Sequence, residues 1–194
     1  MNRHFDEYLD VRSLFKWRPV KHVLELGAAG GENTEHLLGV CEKVTVVSDW
    51  YPPERFKSAP AERLRWIFGV SYVEMDRLPE HTFGAIIIDT DHNYWTLMEE
   101  LKRVERLLCD PGWLILHDTT MFGSASGHMA SYCADVPYPM DQIVACEQDH
   151  KSMLDALKEW LDTNPAYALI RQDSRSNGAM ALMRGWQAEP VEVR

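Results

Sequence analysis

The sequence has no pair of neighbouring cysteines. Cys41, Cys109, Cys133 and Cys146 lie far apart, with no C-x-x-C pair and no secretion signal ahead of them, so they are expected to be reduced thiols of a cytosolic protein that folds without disulfides. Long apolar runs are missing as well. The longest, at residues 85–88 and 113–116, are far too short to cross a bilayer, which leaves a soluble chain as the expectation. Clusters of lysine and arginine are also missing. Twenty basic residues stand against thirty acidic ones, a net charge of -10, so nucleic acid and anionic membrane are poor partners. No internal repeat or low-complexity segment is visible. What remains is ordinary globular composition, 45% apolar over 194 residues, enough for one domain spanning residues 1–194. A chain of this size buries roughly 70% of its unfolded surface and can build a full core without staples.

Short aliphatic or β-branched runs alternate with longer stretches of helical period, the pattern of an α/β fold whose parallel sheet is covered by helices on both faces. Strands are predicted at residues 22–26, 43–48, 70–75, 85–88 and 113–116. Between the fourth and fifth, Leu97, Met98, Leu101, Val104 and Leu108 recur at helical spacing, with Asp110-Pro111-Gly112 as the stop. A second stripe, Met153, Leu154, Leu157, Trp160 and Leu161, ends at Asn164-Pro165. Strands at 167–171 and 179–183 follow, joined by a short polar turn. So short a link requires an antiparallel pair, because a parallel pair needs a crossover of about a dozen residues or more. The sheet should therefore be mostly parallel with one reversed strand near the C-terminus.

In open α/β sheets the ligand sits at the carboxyl ends of the strands. Here those ends carry acids: Glu25 before the turn Gly27-Ala28-Ala29-Gly30-Gly31, then Asp49, Asp76, Asp89 and Asp118. One such acid is a common cap, whereas five on one rim call for a cationic ligand. The glycines let the backbone pass close to that ligand, and Asn33 or Thr34 could cap the helix that follows. A dinucleotide fingerprint would require glycine at 27, 29 and 32, and the chain has Gly27, Ala29 and Glu32. A pyrophosphate would also be repelled by the carboxylates. S-adenosylmethionine meets the requirement: its ammonium and sulfonium are positive, and its ribose diol and adenine amine are hydrogen-bond donors.

With Val23-Leu24-Glu25-Leu26-Gly27-Ala28-Ala29-Gly30-Gly31, the rim acids and the terminal hairpin, residues 20–186 resemble the class I S-adenosylmethionine-dependent methyltransferases, with Ala29 at the commonest middle glycine. The resemblance implies a Rossmann-like sheet of seven strands whose last is reversed. It also implies a cofactor site in which Glu25, Gly27, Ala29 and Gly31 face the methionine part, Asp49 the ribose hydroxyls and Asp76 the adenine amine.

The runs Ile88-Asp89-Thr90-Asp91-His92-Asn93-Tyr94 and Leu116-His117-Asp118-Thr119 are similar to the small-molecule O-methyltransferases, including the catechol, macrolide-sugar and cephalosporin types. By that likeness the substrate is a small hydroxylated molecule. Asp89 and Asp118 fall on Mg²⁺-ligand positions, and His92 falls on that of a general base. An imidazole suits proton removal, since its reference pKa of about 6.5 is near neutrality. His117 stands where the metal-dependent members carry an acid or amide, and a hard cation prefers oxygen. Asp89 remains open to three roles: helix cap, partner of the methionine ammonium, or metal ligand. His117 reads best as a structural partner of Asp118 or Asp89. His128 and Tyr132, in a stretch from 119 to 148 that reads as a lid, are candidate substrate contacts. The first twenty residues are too short an amphipathic stretch for an N-terminal cap, which leaves a pocket mouth that a second subunit could cover. Two other readings belong to different classes: a binding module that keeps the fold without turnover, and a nicotinamide oxidoreductase, which the glycine spacing disfavours.

Overall fold

The computed structural model describes residues 11–120, 140–174 and 177–186. Seven strands form one sheet in the order β3-β2-β1-β4-β5-β7-β6. They are β1 (His22–Leu26), β2 (Lys43–Ser48), β3 (Leu64–Phe68), β4 (Phe83–Ile88), β5 (Leu108–His117), β6 (Tyr167–Asp173) and β7 (Ala179–Arg184). The first five run parallel, and β7 is antiparallel to both β5 and β6, which places the reversed strand where the short hairpin link demanded it. Helices α1 (Val11–Trp17), α2 (Glu32–Leu38), α3 (Ser71–Met75), α4 (Tyr94–Leu107), α5 (Met140–Gln148) and α6 (Met153–Thr163), with a single 3-10 turn at Glu54–Phe56, complete the described elements.

Strands β1, β2 and β4 are almost wholly buried, and this is why their sequences are continuous aliphatic runs and not alternating ones. Their odd and even residues feed two separate cores. On one face Leu24, Leu26, Ile86, Ile88, Leu114 and Leu116 pack with α3, α4 and α6. On the other, Val23, Val44, Val46, Ile87 and Ile115 pack with α1 and α2. Helix α4 turns Leu97, Leu101, Val104 and Leu107 inward, a stripe of helical period that contributes about 1.5–3 kcal/mol per buried aliphatic side chain. Its N-cap is Asn93, whose side chain accepts a bond from the Thr96 N–H at 2.8 Å, so Asp89 is not the cap. Helix α6 opens with a capping box between Ser152 and Asp155.

The third strand differs from expectation. It is Leu64–Phe68, and the predicted strand at 70–75 is helix α3. Within α3 the buried side chains are Ser71, Tyr72 and Met75, while Val73 is 41% exposed. A strand would have buried 71, 73 and 75 together. Strand β5 begins at Leu108 directly after α4, so Asp110-Pro111-Gly112 lies inside the strand and does not form the stop that was expected. Cys41, Cys109 and Cys146 are free thiols, and no described helix is long and apolar enough to cross a membrane.

The register brings the site together. Leu26 of β1 pairs with Val47 of β2 on one side and Ile88 of β4 on the other, so the turns after these three strands emerge side by side. Between β1 and β4 the chain order reverses, which is where an open α/β sheet forms its crevice.

Candidate functional site

After β1 the chain turns through Gly27 at φ +76, and a side chain there would collide with the carbonyl oxygen of Asp89. Glycine is therefore required by the closeness of the β1 and β4 turns. Ala29 also takes a left-handed conformation, at φ +37. Gly31, at φ +80, is the N-cap of α2, and no side chain caps that helix, neither Asn33 nor Thr34. A side chain at Gly31 would strike the Phe56 ring.

The turn forms the common wall of a groove with two lobes. The first, about 150 Å³, extends towards β2 and β3 and is lined by Ser48, Asp49, Trp50, Gly69, Ser71 and Thr90, together with Asp91. The second, about 290 Å³, lies towards β5 and is lined by Glu32, Asn33, His117, Asp118 and Asn177. Gly27, Ala28, Ala29, Asp89 and His92 belong to both.

Of the residues predicted from sequence, the groove gathers Gly27, Ala29, Asp49, Asp89, His92 and Asp118. Glu25 and Gly31 line neither lobe. Glu25 is fully buried behind the turn and accepts a 2.6 Å bond from the Thr34 hydroxyl. Burial pushes its pKa up to about 8, against a smaller downward pull from that bond. Asp76 is a correction: it stands at the C-terminus of α3, exposed and outside the groove. Both its oxygens are held by Arg103, at 2.9 and 3.1 Å, so its carboxylate serves the α3–α4 contact. Tyr51 stacks on Phe68 with centroids 4.2 Å apart, whereas Trp50 is on the wall of the first lobe. His128 and Tyr132 lie outside the described residues, as do residues 121–139 of the predicted lid. Residues 140–148 form α5, which packs on α4.

In the second lobe two carboxylates meet two imidazoles. His117 Nδ1 is 2.9 Å from Asp118 and 3.2 Å from Asp89. His92 Nε2 is 2.9 Å from Asp118 and 3.6 Å from Asp89. Asn33 donates a further, long bond to Asp89 at 3.4 Å. Asp118 itself sits at φ +56, a left-handed conformation that is uncommon for a non-glycine residue and is held here by its partners. Burial alone would lower both histidines. Hydrogen bonds and charge from Asp118 and Asp89 outweigh it, raising His92 to about 9 and His117 to about 10. The same bonds overcome burial at Asp89 and Asp118 and hold both carboxyls below their usual range. Near neutral pH the cluster is thus two carboxylates balanced by two imidazoliums, and the reference value of about 6.5 does not describe His92 here. His117 is the structural partner of both acids, as its sequence position implied.

Asp89, His92 and Asp118 could each turn one ligand atom to a metal, since these atoms lie within 4.8 Å of one another. The donor set is two oxygens and a nitrogen. Mg²⁺ prefers an all-oxygen set with water, and a set that includes an imidazole nitrogen fits it poorly.

Sequence reasoning missed Ser71, Thr90, Asp91, Asn33 and Asn177 as groove residues. Thr90 and Asp91 follow Asp89 directly and could have been found from it. Ser71 was hidden by the misplaced third strand.

Solved structures similar to this one share its architecture. A Staphylococcus aureus protein assigned as a caffeoyl-CoA O-methyltransferase superposes with a TM-score of 0.63 at 19% identity, covering 90% of this chain and 81% of that one. The fold is that of the class I S-adenosylmethionine-dependent methyltransferases. The Burkholderia thailandensis 1,6-didemethyltoxoflavin-N1-methyltransferase, solved with 1,6-didemethyltoxoflavin and S-adenosylhomocysteine, gives 0.62 at 17% identity over 90% of this chain and 75% of that one. A Bacillus cereus O-methyltransferase in complex with S-adenosylhomocysteine gives 0.58 at 14% over 90% and 78%. By sequence the chain matches no protein-family model and no curated protein.

Proposed function

We propose that the protein is an S-adenosylmethionine-dependent methyltransferase acting on a hydroxyl of a small molecule. The observation that carries this reading is the shared wall: Gly27, Ala28, Ala29, Asp89 and His92 border both a lobe holding Asp49 and a lobe holding the imidazole–carboxylate cluster. A methyl donor in the first and an acceptor in the second would meet across it. The residues fit such a donor, because Gly27 keeps the turn free of a side chain and Asp49 offers one carboxylate to two ribose hydroxyls. S-adenosylmethionine, when bound, supplies an electrophilic methyl on a positive sulfonium.

With the donor on the Asp49 side and the acceptor on the His92 side, the groove would set the two in line, and the transfer would form a carbon–oxygen bond as the carbon–sulfur bond broke with its electron pair left on sulfur. His92 in its neutral form takes the hydroxyl proton, and Asp118 and Asp89 stabilise the imidazolium that results. The base in the second lobe, with its counter-charges beside it, suits an acceptor that loses a proton on methylation, as a hydroxyl does. Mg²⁺ has no part in these steps, given the donor set.

The test is a methyl-transfer assay by mass spectrometry over hydroxylated small molecules, with and without chelator. A product 14 mass units heavier and insensitive to chelator supports the reading. Tight binding of NAD with none of S-adenosylhomocysteine would make the protein an oxidoreductase candidate instead. Cofactor binding with no methylation of any acceptor would favour a non-catalytic module.

A further inference from the structure

Position 100 falls on the inward stripe of α4, between Leu97 and Leu101, where the helical period calls for an aliphatic residue. The chain has glutamate there, with no exposed surface. A buried carboxyl is costly unless hydrogen-bonded, and this one has two donors. The hydroxyl of Ser71, the first residue of α3, and that of Thr90, just after β4, both donate to the same oxygen, Oε1, the latter at 2.7 Å. Ser71 and Thr90 are themselves wall residues of the first lobe, so Glu100 stands behind that wall and holds both hydroxyls from the protein side.

The consequence is one of polarity. A hydroxyl has one hydrogen to give, and each of these has given it to Glu100. Among the described residues neither hydroxyl has another partner, so what each turns to the lobe is its lone pairs. Asp91 adds a carboxylate to the same lobe, and no lysine or arginine lines it. Burial pushes Glu100 up to about 7 against the pull of the two hydroxyls. Its other oxygen, Oε2, is buried without a hydrogen-bond partner and can carry a proton while Oε1 still accepts both bonds.

We propose that Glu100 is a positioning residue for base selection: it fixes Ser71 and Thr90 as acceptors, so that the first lobe takes a 6-aminopurine nucleoside and rejects its 6-oxo counterpart. This rests on the cofactor reading above and supplies the acceptors that Asp76 was expected to provide. The amine of adenine donates to such a surface, whereas a 6-oxo group meets lone pair with lone pair.

The experiment compares affinities for S-adenosylhomocysteine and S-inosylhomocysteine by calorimetry in the wild type, Glu100→Gln and Ser71→Ala. The wild type should prefer the amino ligand by at least about tenfold. In Glu100→Gln the amide can donate to one hydroxyl and free that hydroxyl's hydrogen for the lobe, so the preference should fall severalfold with the volume of the side chain kept. Ser71→Ala removes one acceptor while Glu100 keeps its bond from Thr90, and it should lower the preference in the same direction, which keeps the test decisive should Glu100→Gln not fold. A merely structural glutamate would weaken both ligands equally. An unchanged ratio in the variants overturns the inference and leaves the cofactor reading intact, whereas a wild type that binds neither ligand overturns both.

Discussion

The two lobes of the groove are each built around buried or half-buried acids, yet the acids behave in opposite ways. Glu100 behind the first lobe, and Glu25 behind the turn that walls both, are bonded to hydroxyls, and burial wins: they are pushed up to about 7 and about 8. In the second, Asp89 and Asp118 are bonded to imidazoles, and the partners win: both are held down. A hydroxyl satisfies a hydrogen bond but brings no charge, whereas an imidazolium brings both. The first region is therefore suited to holding a ligand and the second to moving a proton.

The comparison breaks first at His92. If the second lobe is the proton-moving side, His92→Ala should lower kcat by roughly 10² to 10⁴ and leave S-adenosylhomocysteine affinity within about twofold. Because Asp118 and Asp89 raise His92 to about 9, its neutral fraction is small at pH 7, so kcat of the wild type should climb between pH 7 and 9. A flat profile together with an active His92→Ala would remove His92 from the reaction.

The ligand-holding side is tested next by Asp49→Ala. One carboxylate accepting two ribose hydroxyls contributes about 1.5–3 kcal/mol per bond, so affinity for S-adenosylhomocysteine should fall at least about tenfold while the cluster in the second lobe is untouched.

Glu25 offers a thermodynamic version of the same contrast. Its folded pKa of about 8 lies above the ordinary 4.5, so the folded state keeps a proton that the unfolded state releases, and stability falls as pH rises from 4.5 to about 8. The imidazoles add to the fall above pH 6.5, because stability from a raised histidine pKa is full below the unfolded value and is lost as pH rises through the folded one. Half-buried His22, lowered to about 4, acts only below 6.5, where its contribution is lost as pH falls. The midpoint of thermal unfolding of the unliganded protein should thus drop by several degrees between pH 6.5 and 8. Glu25→Gln should flatten part of that drop, and an unchanged slope would mean that Glu25 is already ionised in the fold.

The smallest expected effect is at Asp76. Held by Arg103 outside the groove, Asp76→Ala should leave S-adenosylhomocysteine affinity within about twofold and cost at most about 1 kcal/mol of stability, as exposed ion pairs do. A tenfold loss of affinity would return it to the site.

Asp76 also shows where the sequence stopped being legible. Strands β1, β2 and β4 are buried on both faces and read as unbroken aliphatic runs, and the 12-residue-or-less hairpin rule placed β7 in reverse. β3 is an edge strand of five residues with Arg65 in its apolar run, so its pattern is weak. The next stretch, Ser71–Met75, is rich in strand-favouring residues but is too short to display a helical period. One misplaced strand moved the rim acid from the groove to the outside. The site was legible where it depends on chain neighbours, as in Asp89 with His92. The meeting of Asp118 with Asp89 and His92 was legible only through the resemblance, which places both acids on one set of ligand positions, and the pairing of Leu116 with Ile88 is what brings it about. The shift of His92 followed from those contacts and could not be read from its residue type.

The central claim, that one lobe holds the donor and the other receives the methyl, is tested most directly by a crystal structure grown with S-adenosylhomocysteine. The ribose diol should lie on Asp49, the base against Ser71 and Thr90, and the sulfur at the shared wall facing His92. A ligand seated in the second lobe, or one whose sulfur points away from His92, would contradict it.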